Sequence, residues 1–328
     1  MNMQPQLNSV GSPLFYGVFG AIVMVMIAVD MLALKKEGAH RVSSKEALLW
    51  TVVWISISLG FAVWLYFELL HNVAVGHEIA ADSVMDFLTG YVLEKSLSVD
   101  NIFVFVLIFS YFKIPAAYQH RVLLFGVLGA IVLRAIMVGL GAVLISRFNW
   151  ILYLFGIFLL YSGIKLMLPE KVGHKELQEN SLIKWLYRHF PVSDHLDQEK
   201  FFTVENGKRV ATPLLLTLIV IELSDVVFAV DSIPAVFAVT TDPFIVFTSN
   251  IFAVLGLRAM YFLLANVVEK FAYLKYGLAV VLSFIGVKML VVKWWHIPSW
   301  ASLTVVFSAL LMAILASWWK NHQQPIAD

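Results

Sequence analysis

Three carboxylates stand within one long apolar segment of the chain. The segment IELSDVVFAVDSIPAVFAV, at 221–239, contains Glu222, Asp225 and Asp231 among residues that are otherwise almost all apolar. A stretch of this length and hydropathy can cross a bilayer as a helix. A carboxylate at mid-membrane costs about 2.5–3.5 kcal/mol on insertion scales, so acidic residues at this depth mark ion pathways, proton relays or buried ion pairs.

A second segment repeats this acidic pattern. LEKSLSVDNIF, at 93–103, resembles LSDVVFAVDSI, at 223–233, and in each an acidic residue lies six positions before an aspartate that follows valine. The paired acids are Glu94 and Asp100 in the first segment, and Asp225 and Asp231 in the second. Positions six apart on an unbroken helix differ by about 240° in direction. We therefore expect a local break near Asp100 and near Pro234, which would bring each pair together; an unbroken helix that serves neighbours on both sides is the other interpretation.

The similarity continues into the apolar stretches that follow each segment. The matching phrases are VLRAIM (132–137) and GLRAMY (256–261), which contain Arg134 and Arg258, and YSGIKLML (161–168) and FIGVKMLV (284–291), which contain Lys165 and Lys288. Three matches in the same order over three spans indicate an internal repeat. Because three is an odd number, the second copy enters the membrane from the opposite side. Inverted repeats are typical of secondary transporters, whose sites lie near the midplane between the repeats.

The composition places these segments in an integral membrane protein. Of the 328 residues, 60% are hydrophobic and only 14% are charged, whereas about a quarter of the residues of a soluble domain are charged. Since about 20 apolar residues cross the hydrocarbon layer as a helix, the sequence predicts an all-α polytopic membrane protein with nine transmembrane helices. The predicted spans are 14–34, 47–69, 84–111, 119–145, 149–169, 211–239, 243–267, 272–292 and 299–319.

Basic residues outside the spans predict the orientation of the chain. Sixteen lysines and arginines fall in connections on one side of the membrane, and only Arg147 and Lys293 fall on the other. Because basic loops stay in the cytoplasm, we expect the N-terminus outside and the C-terminus inside. The predicted parts of this single membrane domain, 1–328, are a first three-helix repeat at 84–169, a cytoplasmic loop at 170–210 and a second, inverted repeat at 211–293.

Two local signals occur in the cytoplasmic loop. SLIKWLYRHF, at 181–190, has apolar residues at helical spacing among basic ones, which predicts a helix on the membrane surface. FFTVENGKRVAT, at 201–212, predicts a hairpin around Asn206 and Gly207, because this residue pair suits a type I′ turn. A solvated tether is the other interpretation of both stretches.

Acidic residues outnumber basic residues in the middle of the predicted spans. The deep acids are Glu94, Asp100, Glu222, Asp225, Asp231 and, in the first span, Asp30; the deep bases that could pair with them are Lys95, Arg134 and Arg258. The surplus of acids must be protonated or neutralised by a bound cation. Asp30 is a candidate further ligand, although a lone aspartate that reaches the cytoplasmic interface is the other interpretation.

The donor atoms available at this depth are oxygens. They belong to the carboxylates, Asn101, Ser96, Ser98, Ser224 and Ser232; no histidine lies in mid-span, and the chain has no cysteine. All-oxygen sites suit Mg²⁺, Ca²⁺ or Mn²⁺ and disfavour zinc or copper. We therefore expect a divalent cation as transported substrate and no tightly bound cofactor, with membrane lipid and protons as the other partners.

Three classes of function are compatible with these residues. A secondary transporter would move a divalent cation across the membrane in exchange for protons, because both compete for the same carboxylate oxygens. An intramembrane aspartyl hydrolase would use Asp100 and Asp231 as a dyad, but that dyad needs no further acids and no G-x-G-D phrase occurs. A membrane scaffold or metal sensor would bind metal without transporting it. The sequence has neither a phosphate-binding G-x-x-x-x-G-K-[ST] loop nor a run of basic residues, which argues against ATP hydrolysis and nucleic-acid binding.

Two stretches of the chain resemble the TerC family of bacterial membrane proteins, and within it the Alx-like members. They are ELSDVVFAVDSIPAVFAVTTDPFIVFTSNIFAVLGLRAMYFLL (222–264) and EKSLSVDN (94–101), and the resemblance extends over nearly the whole chain. It implies a multi-pass protein of the bacterial cytoplasmic (inner) membrane that exports Mn²⁺ and is not an enzyme. It also implies a metal site formed by Glu94, Asp100, Asn101, Glu222, Asp225 and Asp231. The choice of Mn²⁺ over Ca²⁺ or Mg²⁺ comes from the resemblance, which leaves the coupling ion open.

Overall fold

The computed structural model describes residues 9–37, 42–71, 76–148, 150–167, 191–193, 195–205, 207–265, 273–292, 294–295 and 297–323. For 33–37, 100, 231 and 321–323 it describes the backbone only. Within these residues the chain forms ten helices and one hairpin. The elements are α1 (Pro13–Glu37), α2 (Ser44–His71), α3 (Gly76–Tyr111), α4 (Ala116–Arg147), α5 (Ile151–Met167), β1 (Phe202–Glu205), β2 (Lys208–Ala211), α6 (Pro213–Val239), α7 (Pro243–Leu255), α8 (Leu257–Leu264), α9 (Leu274–Val291) and α10 (Ser299–Gln323).

A helix, or a bent pair of helices, lies at each predicted span. Six helices of the described chain are long and apolar enough to cross a membrane, namely α1, α2, α4, α6, α9 and α10. The pair α7 and α8, bent by 42°, is a seventh if it is one span. The apolar helix α5 has only 17 residues, and α3 includes six charged residues among its 36. Length and composition therefore support six or seven crossings of an almost entirely helical bundle.

Large apolar side chains are exposed on the outer faces of the helices. Met24, Val63, Val132 and Val227, on four different helices, are each more than half exposed. A soluble monomer rarely exposes so much apolar surface, whereas the acyl chains of lipids are as apolar as these side chains. The outer surface of the bundle is therefore one that lipid can cover.

An aromatic cluster fixes the first two helices to the rest of the bundle. The Phe61 ring of α2 lies 4.9 Å from the Phe252 ring of α7 and 5.5 Å from the Phe87 ring of α3. Phe19 of α1 lies 5.4 Å from Phe252. These rings are buried, and offset or edge-to-face contacts at such distances stabilise aromatic cores. Helices α1 and α2 thus pack on α3 and α7.

Helices α5 and α9 cross with their backbones in close contact. A Cβ atom placed on Gly163 of α5 would lie 2.8 Å from the Ala279 carbonyl oxygen of α9. A Cβ placed on Gly286 of α9 would lie 2.8 Å from the Gly156 carbonyl oxygen of α5. Small residues allow this approach between membrane helices. Because the later residue of each helix meets the earlier residue of the other, α5 and α9 run antiparallel.

The helices that contain the acidic segments pack in two parallel pairs. Along α4 and α6, Gly129 contacts Glu222 and Gly141 contacts Phe237, so these two helices run in the same direction. Helix α3 packs on α7, where Gly90 contacts Ser249. The acidic segments of α3 and α6 are thereby enclosed by α4 and α7.

The expected breaks in the acidic helices are not present. Helix α3 is continuous through Asp100, and α6 is continuous from Pro213 to Val239 with Pro234 inside it. A proline removes one helical hydrogen bond, and the remaining bonds of the neighbouring turns hold α6 together. An interruption is found instead in the following span, at Gly256, between α7 and α8. The prediction of local unwinding at Asp100 and Pro234 was therefore wrong.

A hairpin is present where the sequence predicted one. Strands β1 and β2 are antiparallel, with Phe202 opposite Ala211, and Gly207 in the turn has a φ of 75°. The segment before it is fixed to the start of α4 by an ion pair of 3.2 Å between Arg121 and Glu199. The predicted surface helix at 181–190 lies outside the described residues.

Candidate cation site

A buried arginine in α4 binds carboxylates from two other helices. Arg134 has no exposed surface. Its Nη2 and Nε donate to the Asp225 carboxylate of α6 at 3.0 and 3.2 Å, and its Nη1 donates to Oε1 of Glu94 in α3. Nη1 also donates to Oδ1 of Asn250 in α7 at 2.9 Å, and Asn250 Nδ2 donates to Oε2 of Glu94 at 3.2 Å. Four helices therefore meet in one hydrogen-bonded cluster.

Repetition in the sequence explains how this cluster forms. Glu94 and Asp225 occupy equivalent positions in the two similar acidic segments, and both point at the same guanidinium. Two carboxylates and one guanidinium leave a formal charge of −1. A buried charge needs a partner and further hydrogen bonds, which Asn250 supplies here.

Glu222 adds a further carboxylate beside this cluster. It lies three residues before Asp225, on the same side of α6, and packs against Gly129 of α4, where a Cβ would overlap with the Glu222 carboxylate. Its Oε2 is buried and has no hydrogen-bond partner among the described residues. This oxygen is free to bind a proton or a cation.

Asp30 and Arg258 form a separate ion pair. Arg258 Nη2 of α8 donates to Asp30 Oδ1 of α1 at 2.5 Å, and Arg258 Nη1 lies 2.7 Å from His120 Nε2 of α4. All three residues are buried. Asp30 thus joins α1 to α4 and α8 through Arg258, and the structure does not bring it to the Arg134 cluster.

Lys95, a predicted charge-pairing residue, has a different environment. Its Nζ is buried and has no hydrogen-bond partner among the described residues. It lies beside Gly256, where a Cβ would overlap with it, and 5.7 Å from the centroid of the Tyr91 ring. The side chain therefore points at the bend between α7 and α8.

A cavity of about 330 Å³ opens beside Glu94. This Glu94 cavity is lined by Glu94 and Asn101 of α3, Ser232 of α6 and Lys165 of α5, together with apolar side chains. Asn101 and Ser232 are each only 2% exposed. The cavity thus connects the Arg134 cluster with the C-terminal end of α5.

A second cavity of about 330 Å³ lies near the C-terminal end of α9. This Asp86 cavity is lined by Asp82, Asp86, Thr240, Lys288 and Ser299, among others. One oxygen of Asp86 is buried without a hydrogen-bond partner in the described part of the chain. Because α5 and α9 are antiparallel, the two cavities lie at opposite ends of the bundle.

The remaining predicted ligands are seen only in part. Helix α3 contains Asp100 and helix α6 contains Asp231, but their side chains lie outside the described structure. Among the side chains that are described, no three from histidine, aspartate and glutamate are grouped to hold a metal ion. Any metal site formed with Glu94, Asn101 and Asp225 therefore depends on Asp100, Asp231 or movement of Arg134.

Sequence reasoning missed several polar residues near these groups. Asn250 completes the Arg134 cluster, His120 contacts Arg258, and Asp86 lines the second cavity. Asn250 has a weak signal, since it is a polar residue within the apolar run of α7. Asp82 and Asp86 are four residues apart and so share one face of α3, but their depth could not be read from the sequence.

The bundle consists of long helices whose outer faces lipid can cover, and it contains a buried charge cluster and a cavity towards each end. These features define a polytopic membrane protein with a polar centre. The model described as "Integral membrane protein TerC family" matches residues 79–325, and the chain belongs to this family. The "Putative membrane-bound redox modulator Alx" of Escherichia coli (strain K12) is 52% identical over 317 residues, which cover 97% of this chain and 98% of the relative. "Uncharacterized membrane protein STKORF319" of Myxococcus xanthus is 48% identical over 320 residues, with 98% and 97% covered. No solved structure matches the chain.

Proposed function

We propose that this chain is a secondary transporter that exports Mn²⁺ from the cytoplasm across the inner membrane in exchange for protons. The proposed site is formed by carboxylates of both repeats near mid-membrane. One observation is its main support: Glu94 and Asp225, from equivalent positions of two similar segments, converge on Arg134 next to a cavity. An ion-pair network built only for stability needs no cavity beside it.

The packing of α5 on α9 supports the proposed inverted repeat. The contacts of Gly163 with Ala279 correspond, residue for residue, to those of Gly286 with Gly156, because the repeat relates α5 to α9 by a constant shift of 123 positions. The antiparallel direction of α5 and α9 is the one that an inverted repeat requires. The excess of basic residues on one side supports an N-terminus outside and a C-terminus inside.

The two cavities support transport by alternating access. In the proposed orientation, the Glu94 cavity faces the cytoplasm at Lys165, and the Asp86 cavity faces outward at Lys288. The Arg134 cluster lies deep within the bundle. Transporters of this kind expose a central site to each side in turn, so a cation would enter through the first cavity and leave through the second.

Ligand chemistry supports a hard divalent cation as substrate. The polar atoms at the Glu94 cavity include carboxylate, amide and hydroxyl oxygens, which Mn²⁺ shares with Mg²⁺ and Ca²⁺ as preferred ligands. The family resemblance selects Mn²⁺ among them. Protons and metal compete for the same carboxylate oxygens, and this competition is a simple means of coupling their movements.

A scaffold or metal sensor without transport is the second candidate function. The observation in its favour is that Arg134 already neutralises half of the formal charge of Glu94 and Asp225. Several relatives are named redox modulators. This chain has no cysteine, so thiol chemistry of its own is excluded, and a redox role would act through the metal or through a partner.

Uptake of Mn²⁺ by everted membrane vesicles tests the proposal. The cytoplasmic face of these vesicles is outward, so export is measured as uptake. We expect native vesicles to accumulate Mn²⁺ only while a proton gradient is present, and Asp231→Asn to abolish uptake. Glu78→Gln, at the exposed start of α3, is the matched control and should behave as native. Uptake that survives Asp231→Asn would contradict the proposed site.

A further inference from the structure

Hydroxyl groups inside the helices follow a common rule in this protein. Many serine and threonine side chains in these helices donate to the carbonyl oxygen four residues earlier, and Ser146 and Ser249 donate to the one three residues earlier; such bonds satisfy the hydroxyl where no water is available. Among those that donate four residues back are Thr51, Ser58, Thr89, Ser96, Ser98, Thr217, Ser224, Thr248, Thr304 and Ser317. This bond uses the only proton of the hydroxyl and so satisfies it as a donor.

Ser232 departs from this rule. It is only 2% exposed, and its Oγ has no hydrogen-bond partner among the described residues. Ser283 is the other serine in the described chain whose hydroxyl oxygen is buried and unpartnered; this residue is only partly buried and lies against Gly163 where α5 and α9 cross. No such crossing accounts for Ser232, which lines the Glu94 cavity. An unsatisfied buried hydroxyl costs about 1–3 kcal/mol, so it needs another explanation.

The position of Ser232 in the repeat gives that explanation. Ser232 directly follows Asp231, as Asn101 directly follows Asp100. Both Asn101 and Ser232 are almost fully buried and line the same cavity, together with Glu94. In the sequence, each repeat therefore has an aspartate followed by a residue with a neutral oxygen donor, and the cavity is lined by this second residue. Carboxylate, amide and hydroxyl oxygens together form the ligand set of a hard divalent cation.

We propose that Ser232 Oγ is a ligand of a divalent cation in the Glu94 cavity, which Asn101 also lines. This inference rests on the proposed function and adds a residue to its site. A neutral hydroxyl binds a metal ion but does not take up a proton at ordinary pH, whereas a carboxylate binds either. Ser232 thus increases the affinity for the metal without increasing the affinity for the competing proton.

Two substitutions and a matched control test this role in equilibrium binding. The purified protein in detergent is titrated with Mn²⁺, and the free ion is measured by its electron paramagnetic resonance signal. We expect Ser232→Ala to weaken Mn²⁺ binding about 10-fold, which corresponds to about 1.4 kcal/mol. Ser232→Asn, which restores an oxygen donor like that of Asn101, should recover most of the affinity. Ser58→Ala is the control, because Ser58 of α2 is equally buried but donates to the Trp54 carbonyl.

Thermal unfolding without metal separates a ligand from a structural residue. Ser232→Ala removes an unsatisfied hydroxyl, so we expect it to unfold at the native temperature or higher, while Ser58→Ala loses a hydrogen bond and unfolds at a lower one. Equal Mn²⁺ affinity of Ser232→Ala and native protein would overturn the inference. If native protein binds Mn²⁺ but does not transport it, the proposed transport is refuted. The comparison of Mn²⁺ affinity between Ser232→Ala and native protein then still decides whether Ser232 is a ligand. Native protein that binds no Mn²⁺ would overturn both.

Discussion

At the residue scale, the Arg134 guanidinium is the internal counter-ion of the site. It holds Glu94 and Asp225 together with no exposed surface of its own. A cation that binds these carboxylates must compete with Arg134 or bind beside it in the Glu94 cavity. In either arrangement, the affinity for the cation depends on the relative positions of α3, α4 and α6. A transport cycle requires such a dependence.

Replacing Arg134 should destabilise the protein strongly. Arg134→Met leaves Glu94 and Asp225 buried without their cation, and breaking a buried ion pair from one side costs about 3–5 kcal/mol. We expect a clearly lower temperature of thermal unfolding in detergent. Arg147→Met, at the exposed end of the same helix, is the control and should stay within about 0.5 kcal/mol of native. An equal decrease in unfolding temperature for both variants would mean that the Arg134 cluster makes no special contribution to stability.

The space for the Glu222 carboxylate depends on one glycine. A Cβ at Gly129 would overlap with this carboxylate, whereas a Cβ at Gly139 of the same helix meets nothing within 4 Å. Gly129→Ala should therefore displace Glu222 and reduce Mn²⁺ uptake by everted vesicles several-fold, while Gly139→Ala leaves uptake unchanged. Equal uptake by the two variants would show that Glu222 is not needed where the structure places it.

Residues of the site differ in how far the sequence predicts them. The repetition of two acidic segments is enough to single out Glu94 and Asp225. Nothing in the sequence says that both bind Arg134 while its counterpart Arg258 binds Asp30, because the choice of partner depends on how the helices pack. Asn250 and His120 enter these networks for the same reason and could not be assigned from spacing.

At the element scale, the close approach of the α5 and α9 backbones depends on two glycines. Gly163 and Gly286 occupy equivalent positions of the repeat and meet backbone atoms of the opposite helix. Gly163→Ala and Gly286→Ala should each lower the free energy of unfolding by about 1–3 kcal/mol, because an added methyl group forces the helices apart. Thermal unfolding in detergent measures this loss, with Gly20→Ala, whose Cβ meets nothing within 4 Å, as the control. A large loss for only one of the two would argue against equivalent roles in an inverted repeat.

Most predicted helix limits agree with the structure, but α3 begins eight residues before its predicted span, and the predicted breaks are not present. Apolar length fixes the ends of helices such as α4 and α6 to within a few residues. The break was predicted at Pro234, where the chain stays helical, and occurs at Gly256. A proline or glycine signals where a helix can bend, but the neighbours that fill or leave the adjacent space decide whether it does.

At the scale of the whole molecule, the proposed orientation is directly testable. The chain has no cysteine, so single cysteines can be introduced without altering a native thiol. Trp294→Cys, at a residue that is 80% exposed, should react with a membrane-impermeant maleimide on intact cells. Lys208→Cys, in the hairpin, should react only after the membrane is opened. The reverse pattern would invert the topology and exchange the sides of the two cavities.

The central claim is that the chain alone moves Mn²⁺ across a membrane. Mn²⁺ flux in proteoliposomes that contain only the purified protein tests it most directly, with a pH gradient imposed in either direction. We expect saturable Mn²⁺ movement that reverses with the gradient and is lost in Asp231→Asn. Mn²⁺ binding by intact protein with no flux under either gradient would contradict the claim and assign the chain to the scaffold or sensor class.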